Sequence, residues 1–217
     1  MRKSDISINK LREKKKKFLA REMTIRDSAI SLLKKQDIDK VTISSIARDA
    51  GIGKGTVYKH FLSKTEILMR IIFDYDDSVL SRVKTCIKES TDSNDPFCVI
   101  HAYFSARLSD PLLDILVRNL KIKLKNDPQI FESVSPLETL KVGLVGSVIV
   151  AIKSLISSGL LREAPPMYYY FSYVSLIEGA IDLFLEEDFK FNVNDKEQLL
   201  AFLASNGCAL GQVPLTQ

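Results

Sequence analysis

Between Thr42 and Lys64 the chain concentrates side chains that donate hydrogen bonds or positive charge: Thr42, Ser44, Lys54, Thr56, Tyr58, Lys59, His60 and Lys64, with Gly55 among them. Ammonium, hydroxyl and imidazole donors of this kind serve base edges in a duplex groove, or phosphate oxygens beside it. Tyr58 can reach a phosphate with its phenol. Lys64 opens a helix, where free amides and the helix dipole favour an anion. Gly55 removes a side chain where backbone can approach DNA closely. Each residue alone has an ordinary structural explanation, since surface lysines are solvated and tyrosines usually pack. Their order is the signal.

Two short helices must present these groups. Ile43, Ile46, Ala47 and Ala50 recur at helical spacing, and Thr42 can cap the helix they define. Gly51 follows, where a tight turn needs positive φ. Lys54 to Phe61 form the second helix, with Val57 and Phe61 inward at i, i+4 and with Lys54, Thr56, Tyr58, Lys59 and His60 on its outer faces. Ala47 is small where the helices cross. Ser63-Lys64-Thr65-Glu66 is a capping box opening a third helix. The pattern predicts a helix-turn-helix.

The run Ala50-Gly51-Ile52-Gly53-Lys54-Gly55-Thr56-Val57-Tyr58, followed by His60-Phe61 and Ser63-Lys64-Thr65-Glu66, resembles the DNA-binding domain of the TetR/AcrR family of one-component transcriptional regulators. The resemblance covers roughly residues 20 to 70. There are two departures. Gly53 stands where the family often has Ser, so the reading helix lacks a hydroxyl cap. Asp37 stands where the first helix usually ends in Gly, and Asp tolerates the left-handed conformation better than most residues.

Charge supports the same reading independently. Up to Lys64 the chain holds 17 Lys and Arg against 7 Asp and Glu; beyond it the numbers are 14 and 20. A basic module on a mildly acidic body is the footprint of a protein that meets nucleic acid at one end. Lys14 to Lys17 are the sharpest cluster, either a solvated tail or an arm along phosphates. Met1 to about Ile8 show no apolar period and are expected to be mobile.

The remainder reads as all-α: an N-terminal three-helix domain followed by a helical bundle. The expected divisions are 1–17 (basic arm), 18–66 (helix-turn-helix domain) and 67–217 (effector-binding and dimerisation domain). Helices are predicted from Thr65 to Glu89, Pro96 to Leu108, Asp110 to Lys125, Leu137 to Leu161, Met167 to Glu187, and from Asn194 or Asp195 to Ala209. Leu137–Leu161 is apolar nearly all round, which predicts a central position. Its densest run, Val142 to Ile152, is too short to cross a bilayer before Lys153, so no membrane partner is expected. Cys86, Cys98 and Cys208 have no metal-like spacing with His60 and His101, which predicts reduced thiols, no metal and no cofactor. No catalytic set emerges. Glu178 and Asp182, at i, i+4, face solvent or an interface more often than a substrate.

The resemblance implies a cytoplasmic, dimeric repressor that binds a palindromic operator in double-stranded DNA and is released by a small-molecule effector. In that scheme the helix from Lys64 to Glu89 links the reader to the bundle, and the last two helices form the dimer. Phe104, Arg107, Phe131 and Tyr170 are candidate effector contacts, with Arg107 neutralising an acidic group. Ser172, Ser175 and Gly179 form a small-residue stripe for the dimer seam, flanked by Val174, Ile177, Ile181 and Phe184. The alternative is a DNA-binding regulator of the same fold without an effector.

Overall fold

Apolar positions recur every third or fourth residue through most of the chain, and the computed structural model turns each run into helix. It describes residues 3–89, 96–125, 135–185 and 196–212. These form α1 (Lys3–Leu33), a 3-10 turn at Ile38–Lys40, α2 (Ile43–Asp49), α3 (Lys54–Val57), α4 (Lys64–Glu89), α5 (Cys98–Leu108), α6 (Pro111–Lys125), α7 (Ser135–Ser157), α8 (Pro166–Leu185) and α9 (Lys196–Ala209). Among the described residues the only extended pairing is an isolated bridge between Leu161 and Gln212. The fold is all-α.

The chain divides into two units, Met1–Ile71 and Ile72–Gln217. In the first, Ile25, Ala29 and Leu33 of α1 are buried at i, i+4 and i+8. With them lie Val41, then Ile43, Ile46 and Ala47 of α2, Val57 of α3, Phe61, and Ile67, Leu68 and Ile71 of α4. Because the first turns of α4 bury into this core, the division falls inside α4 and not at residue 66. α1 runs unbroken from Lys3, through the segment expected to be mobile and past residue 17. Lysine, arginine and glutamate are good helix formers, and that propensity carries the helix where no apolar period does. Asp37 does not take the left-handed conformation: its φ is −57° and ψ is 145°, and it leads into the 3-10 turn.

In the second unit, Val79 and Val83 of α4 join a core cluster with Ile100, Tyr103 and Phe104 of α5, Val148, Ile152 and Leu155 of α7, and Tyr173, Ile177 and Ile181 of α8. Ile87, expected on the same face of α4, is 43% exposed. Pro96 precedes α5, which starts at Cys98 with Phe97 as its N-cap. Asp110 caps α6, accepting from the Leu113 amide at 2.9 Å. Cys98 is buried and its thiol points to the Cys86 carbonyl at 3.6 Å. The side chain of Cys208, the break at Thr91–Asp95 and the Asn194/Asp195 cap lie outside the described residues.

The central position predicted for α7 is not observed. Val148, Ile152 and Leu155 face the core, but Val142 and Val150 are 68% and 67% exposed. α7 packs against α5 and α8, and at Gly143 it comes within van der Waals reach of Leu80 of α4. Thr139–Ser157 is apolar enough, by length and composition, to cross a membrane, with a mean hydropathy of 1.8.

α9 closes against α5, and Gly207 is the reason it can. A Cβ placed there would strike the Phe104 ring and come within 3.0 Å of a Leu176 methyl. Phe104 is fully buried, so its ring has little room to give. Gly207→Ala is therefore expected to destabilise the protein by about 1–3 kcal/mol through overpacking. A lowered urea midpoint with unchanged m-value checks this.

Candidate nucleic-acid interface

α2 starts and stops where its sequence dictates. Thr42 is the N-cap: its hydroxyl accepts from the Ser45 amide at 3.1 Å, and the Ser45 hydroxyl accepts from the Thr42 amide at 2.9 Å. At the other end Gly51 takes φ 64°. The Ile52 amide then reaches the Ala47 carbonyl (2.9 Å) and the Gly51 amide the Arg48 carbonyl (3.2 Å). This double closure ends the helix and turns the chain sharply toward α3.

α3 is shorter than its sequence suggests. It spans Lys54–Val57, with Gly53 as an N-cap that makes no side-chain bond. Beyond it the chain tightens, the Lys59 amide reaching Thr56 and the His60 amide reaching Val57 at 3.1 and 2.9 Å. Val57 and Phe61 are both buried, as expected of the inward pair. The tightened turn brings Phe61 under the helix end and splays the residues between.

On the outer surface Ser44, Lys54, Gly55, Tyr58 and Lys59 are exposed. The Lys54 ammonium lies 5.9 Å from the centroid of the Tyr58 ring, which is 46% exposed. Nothing lies within 4 Å of a Cβ built on Gly55, so the close approach it permits is to something outside the chain. Thr42 is exposed, with its hydroxyl engaged in the cap, and Thr56 is half-buried.

The structure turns two predicted donors inward. The Lys64 ammonium donates to the carbonyls of Ile38 and Val41 at 2.8 and 2.9 Å. Its side chain ties α4 to the end of the 3-10 turn, so the phosphate role expected of it is replaced by a structural one. The capping box around it is shifted as well. Ser63 accepts from the Glu66 amide at 3.1 Å, but Glu66 accepts from Leu62, not Ser63, at 2.5 Å. His60 packs its ring on Phe18 of α1 at a centroid distance of 4.1 Å, and its Nδ1 lies 3.8 Å from Glu22. Its side chain is only 8% exposed. The reason is the tightened turn after α3, which rotates residue 60 off the outer face.

Residues 9 to 20 of α1 are exposed, and Lys14 to Lys17 therefore stand on a helix beside the reader. In sequence this run could be tail or helix. The missing signal was Phe18, whose partner His60 is distant in the chain.

The effector candidates lie in the second unit and are differently disposed. Arg107 grips Asp114 with two bonds, Nε at 2.8 Å and Nη2 at 2.7 Å. Asp114 is 1% exposed and also accepts from the Tyr75 phenol. The acid that Arg107 neutralises thus belongs to the protein itself. Burial opposes the Arg107 charge, but the bonds to Asp114 and the neighbouring Tyr103 hold it firmly protonated. Burial, then the Asp114 charge, push the Tyr75 phenol above its ordinary range; burial, then Tyr103, do the same for Tyr170. Tyr170 is half-buried with its ring 6.4 Å from Tyr103. Phe104 is core, edge-on to Tyr173 at 5.6 Å. Phe131 lies outside the described residues. Arg118 pairs with Glu178 (3.7 Å) and with Asp182, so that carboxylate pair is part of a surface ion cluster. Among the described residues no group of three or more candidate metal ligands forms.

In the proposed seam, Ser172, Ser175 and Gly179 are exposed on α8. Ile177 and Ile181, expected to flank them, are fully buried in the subunit's own core. The Phe184 side chain is outside the described set. Large apolar groups on the exposed side are instead Tyr168, Phe171 and Leu183 of α8 and Phe202 of α9, each more than half exposed.

Comparison with known proteins agrees with the geometry of the reader. Residues 25–71 match the family described as bacterial regulatory proteins, tetR family. A fatty acid metabolism regulator protein of Bacillus subtilis is 27% identical over 117 residues, covering 54% of this chain and 58% of that protein. The nucleoid occlusion factor SlmA of Citrobacter koseri is 26% identical over 74 residues, 34% of this chain and 37% of that one. The matched part thus spans less than two thirds of either relative. Among solved structures, a tetR-family regulatory protein from Rhodococcus RHA1 superposes with a TM-score of 0.69 at 16% identity, covering 88% of this chain and 97% of that one. The fatty acid degradation regulator FadR from Bacillus halodurans gives 0.66 at 14% identity, over 87% and 94%. These two establish likeness of fold. Residues 25–71 thus carry the tetR-family match, on a helix-turn-helix segment, and the chain as a whole has the fold of solved tetR-family regulators.

The two lysines bracketing α4's start and the reader should separate cleanly on mutation. Lys64→Met is expected to lower stability by about 1–3 kcal/mol, having left two carbonyls without their charged donor, while the salt dependence of DNA binding stays as in the wild type. Lys54→Ala is expected to leave stability unchanged and to cost about 1–3 kcal/mol of discrimination between operator and random duplex. Chemical denaturation and fluorescence anisotropy titrations on both sequences check the pair.

Proposed function

We propose that this protein is a repressor that binds a palindromic operator as a homodimer and leaves it when a small molecule occupies the second unit. The observation that carries the DNA half is the outward set Ser44, Lys54, Gly55, Tyr58 and Lys59 on a helix-turn-helix whose core is fully packed beneath it. Lys54, at the first turn of α3, and Lys59 read bases or hold phosphates; Tyr58 and Ser44 hold phosphates; Thr42 and Thr56 line the margin. The protein works in the cytoplasm, where its operator is.

A reader this short buries too little surface to hold a specific site alone. Two-fold pairing would set a second copy about one helical turn, roughly 34–36 Å, along the duplex. The exposed face of α8 supports the pairing, since Tyr168, Phe171 and Leu183, each more than half exposed, flank Ser172, Ser175 and Gly179. Gly179→Arg is expected to give a folded, helical monomer with little operator affinity. A variant that stays dimeric by light scattering and still binds would move the seam elsewhere.

For release, α4 is continuous across the boundary at Ile71/Ile72 and thus links effector unit to reader. Its Tyr75 and Asp76 are held by Asp114 and Lys121 of α6, the latter at 2.7 Å, so a ligand that parts α4 from α6 acts on the helix that carries the reader. The likeness to two proteins named for fatty acid regulation makes fatty acids of graded chain length the first effectors to test. A gel shift against the protein's own upstream DNA is expected to show a complex that one chain-length range dissolves at micromolar concentration. A complex untouched by fatty acids and by cell extract would favour the constitutive regulator.

A further inference from the structure

His60, Phe18 and Glu22 do something that neither the family match nor the reader's outward face accounts for. We infer that the Phe18–His60 stack is a latch that holds the lysine-bearing N-terminal extension of α1 in line with the reader. The inference rests on the DNA-binding reading above and assigns Phe18 and His60 as positioning residues, not DNA contacts.

From Lys3 to Lys17, α1 runs ahead of its buried face, which begins at Ile25. The stretch is continuous with the anchored part of α1 and rich in good helix formers, but a helix end without tertiary contacts frays. This one also places like charges at i, i+4, Lys10 with Lys14 and Arg12 with Lys16, which weakens it further. Residues 9 to 17 are exposed, so the extension's hold on the rest of the unit starts at Phe18.

The contact is specific. Phe18 lies against the His60 ring at 4.1 Å with the planes tilted by 36°. Four residues along the same face, one helical turn, Glu22 comes to 3.8 Å from Nδ1 of His60. That nitrogen is buried and has no hydrogen-bond partner among the described residues; the stack and the nearby carboxylate are the contacts that place the ring. His60 follows α3 directly, through the amide bond to Val57 at 2.9 Å. The latch therefore ties the base of the extension to the turn that follows α3. An extension held this way offers Lys14 to Lys17 in a fixed direction to whatever duplex α3 engages; without it the run frays and its ammonium groups lose their register.

The test is a double-mutant cycle read in salt dependence. Phe18 is 45% exposed, so Phe18→Ala is expected to keep the urea midpoint of the first unit, whose core begins at Ile25. Full-length wild type, Phe18→Ala, the quadruple Lys14→Ala/Lys15→Ala/Lys16→Ala/Lys17→Ala, and the combination are titrated with operator duplex across salt. The quadruple variant reports whether the run touches DNA at all, its slope of log affinity against log salt falling by about 0.9 per lost phosphate contact. The latch predicts that Phe18→Ala alone removes most of that decrement, that adding it to the quadruple variant removes nothing more, and that Phe18→Tyr restores the wild-type slope. Amide exchange from Lys10 to Lys17 should quicken in Phe18→Ala. A wild-type slope in Phe18→Ala, or losses that add in the combination, overturns the latch while leaving the DNA reading intact. An unchanged slope in the quadruple variant overturns both the phosphate role of the run and the latch. A wild-type protein that fails to bind its own upstream DNA overturns the underlying reading itself.

Discussion

The reader is a helix of four residues, and everything it presents depends on burying Val57 and Phe61 beneath it. A helix of one turn has no stability of its own. It persists because Val57 and Phe61 are inserted among Ile43, Ile46 and Ala47, positions that a Thr42 cap and a Gly51 turn hold at one angle. Packing both apolar residues forces the backbone to tighten after Val57, and that tightening decides which side chains stay outside. Tyr58 and Lys59 remain outward; His60 is turned against α1. The shape of the DNA-facing surface is thus a consequence of core packing, and the chemistry of that surface is what the packing leaves exposed.

The second unit is organised around a different constraint, a carboxylate that is almost fully buried. Asp114 is tolerated there because three donors converge on it: the Tyr75 phenol and two nitrogens of Arg107. Buried charge is costly unless matched, and a matched pair adds little stability yet fixes geometry, since each partner has one good position. α4, α5 and α6 each contribute one member of this cluster, and Lys121 adds a second tie from α6 to Asp76. The apolar cluster of α5, α7 and α8 fills the space beyond it. α4 is therefore held by directional bonds in addition to apolar packing, which makes its position sensitive to anything that competes for Asp114 or Arg107.

Much of this was legible in sequence wherever a local rule applied. The Thr42 cap, the Gly51 turn, the inward pair Val57 and Phe61, the Asp110 cap and the α4 stripe from Ile67 to Val83 all follow from spacing and residue type. What escaped depended on partners distant in the chain. Lys64 looked like a phosphate ligand because its helix position favours anions; the carbonyls of Ile38 and Val41 that claim it are set by the fold. Arg107 looked unsatisfied because Asp114 belongs to the next helix. The uniform apolar character of α7 suggested a central helix, whereas it shows Val142 and Val150 outward. Periodicity cannot tell burial inside a subunit from a face that another molecule covers.

The central claim is that the chain meets DNA through the surface around Lys54, Tyr58 and Lys59. Backbone amide chemical-shift mapping of the full-length protein, titrated with its own upstream duplex, tests this most directly. The account predicts the largest shifts at residues 53–60 and around Ser44, smaller ones along Lys10–Lys17, and little change in α5 to α7. Shifts concentrated in the second unit, with the amides of α3 unmoved, would contradict it.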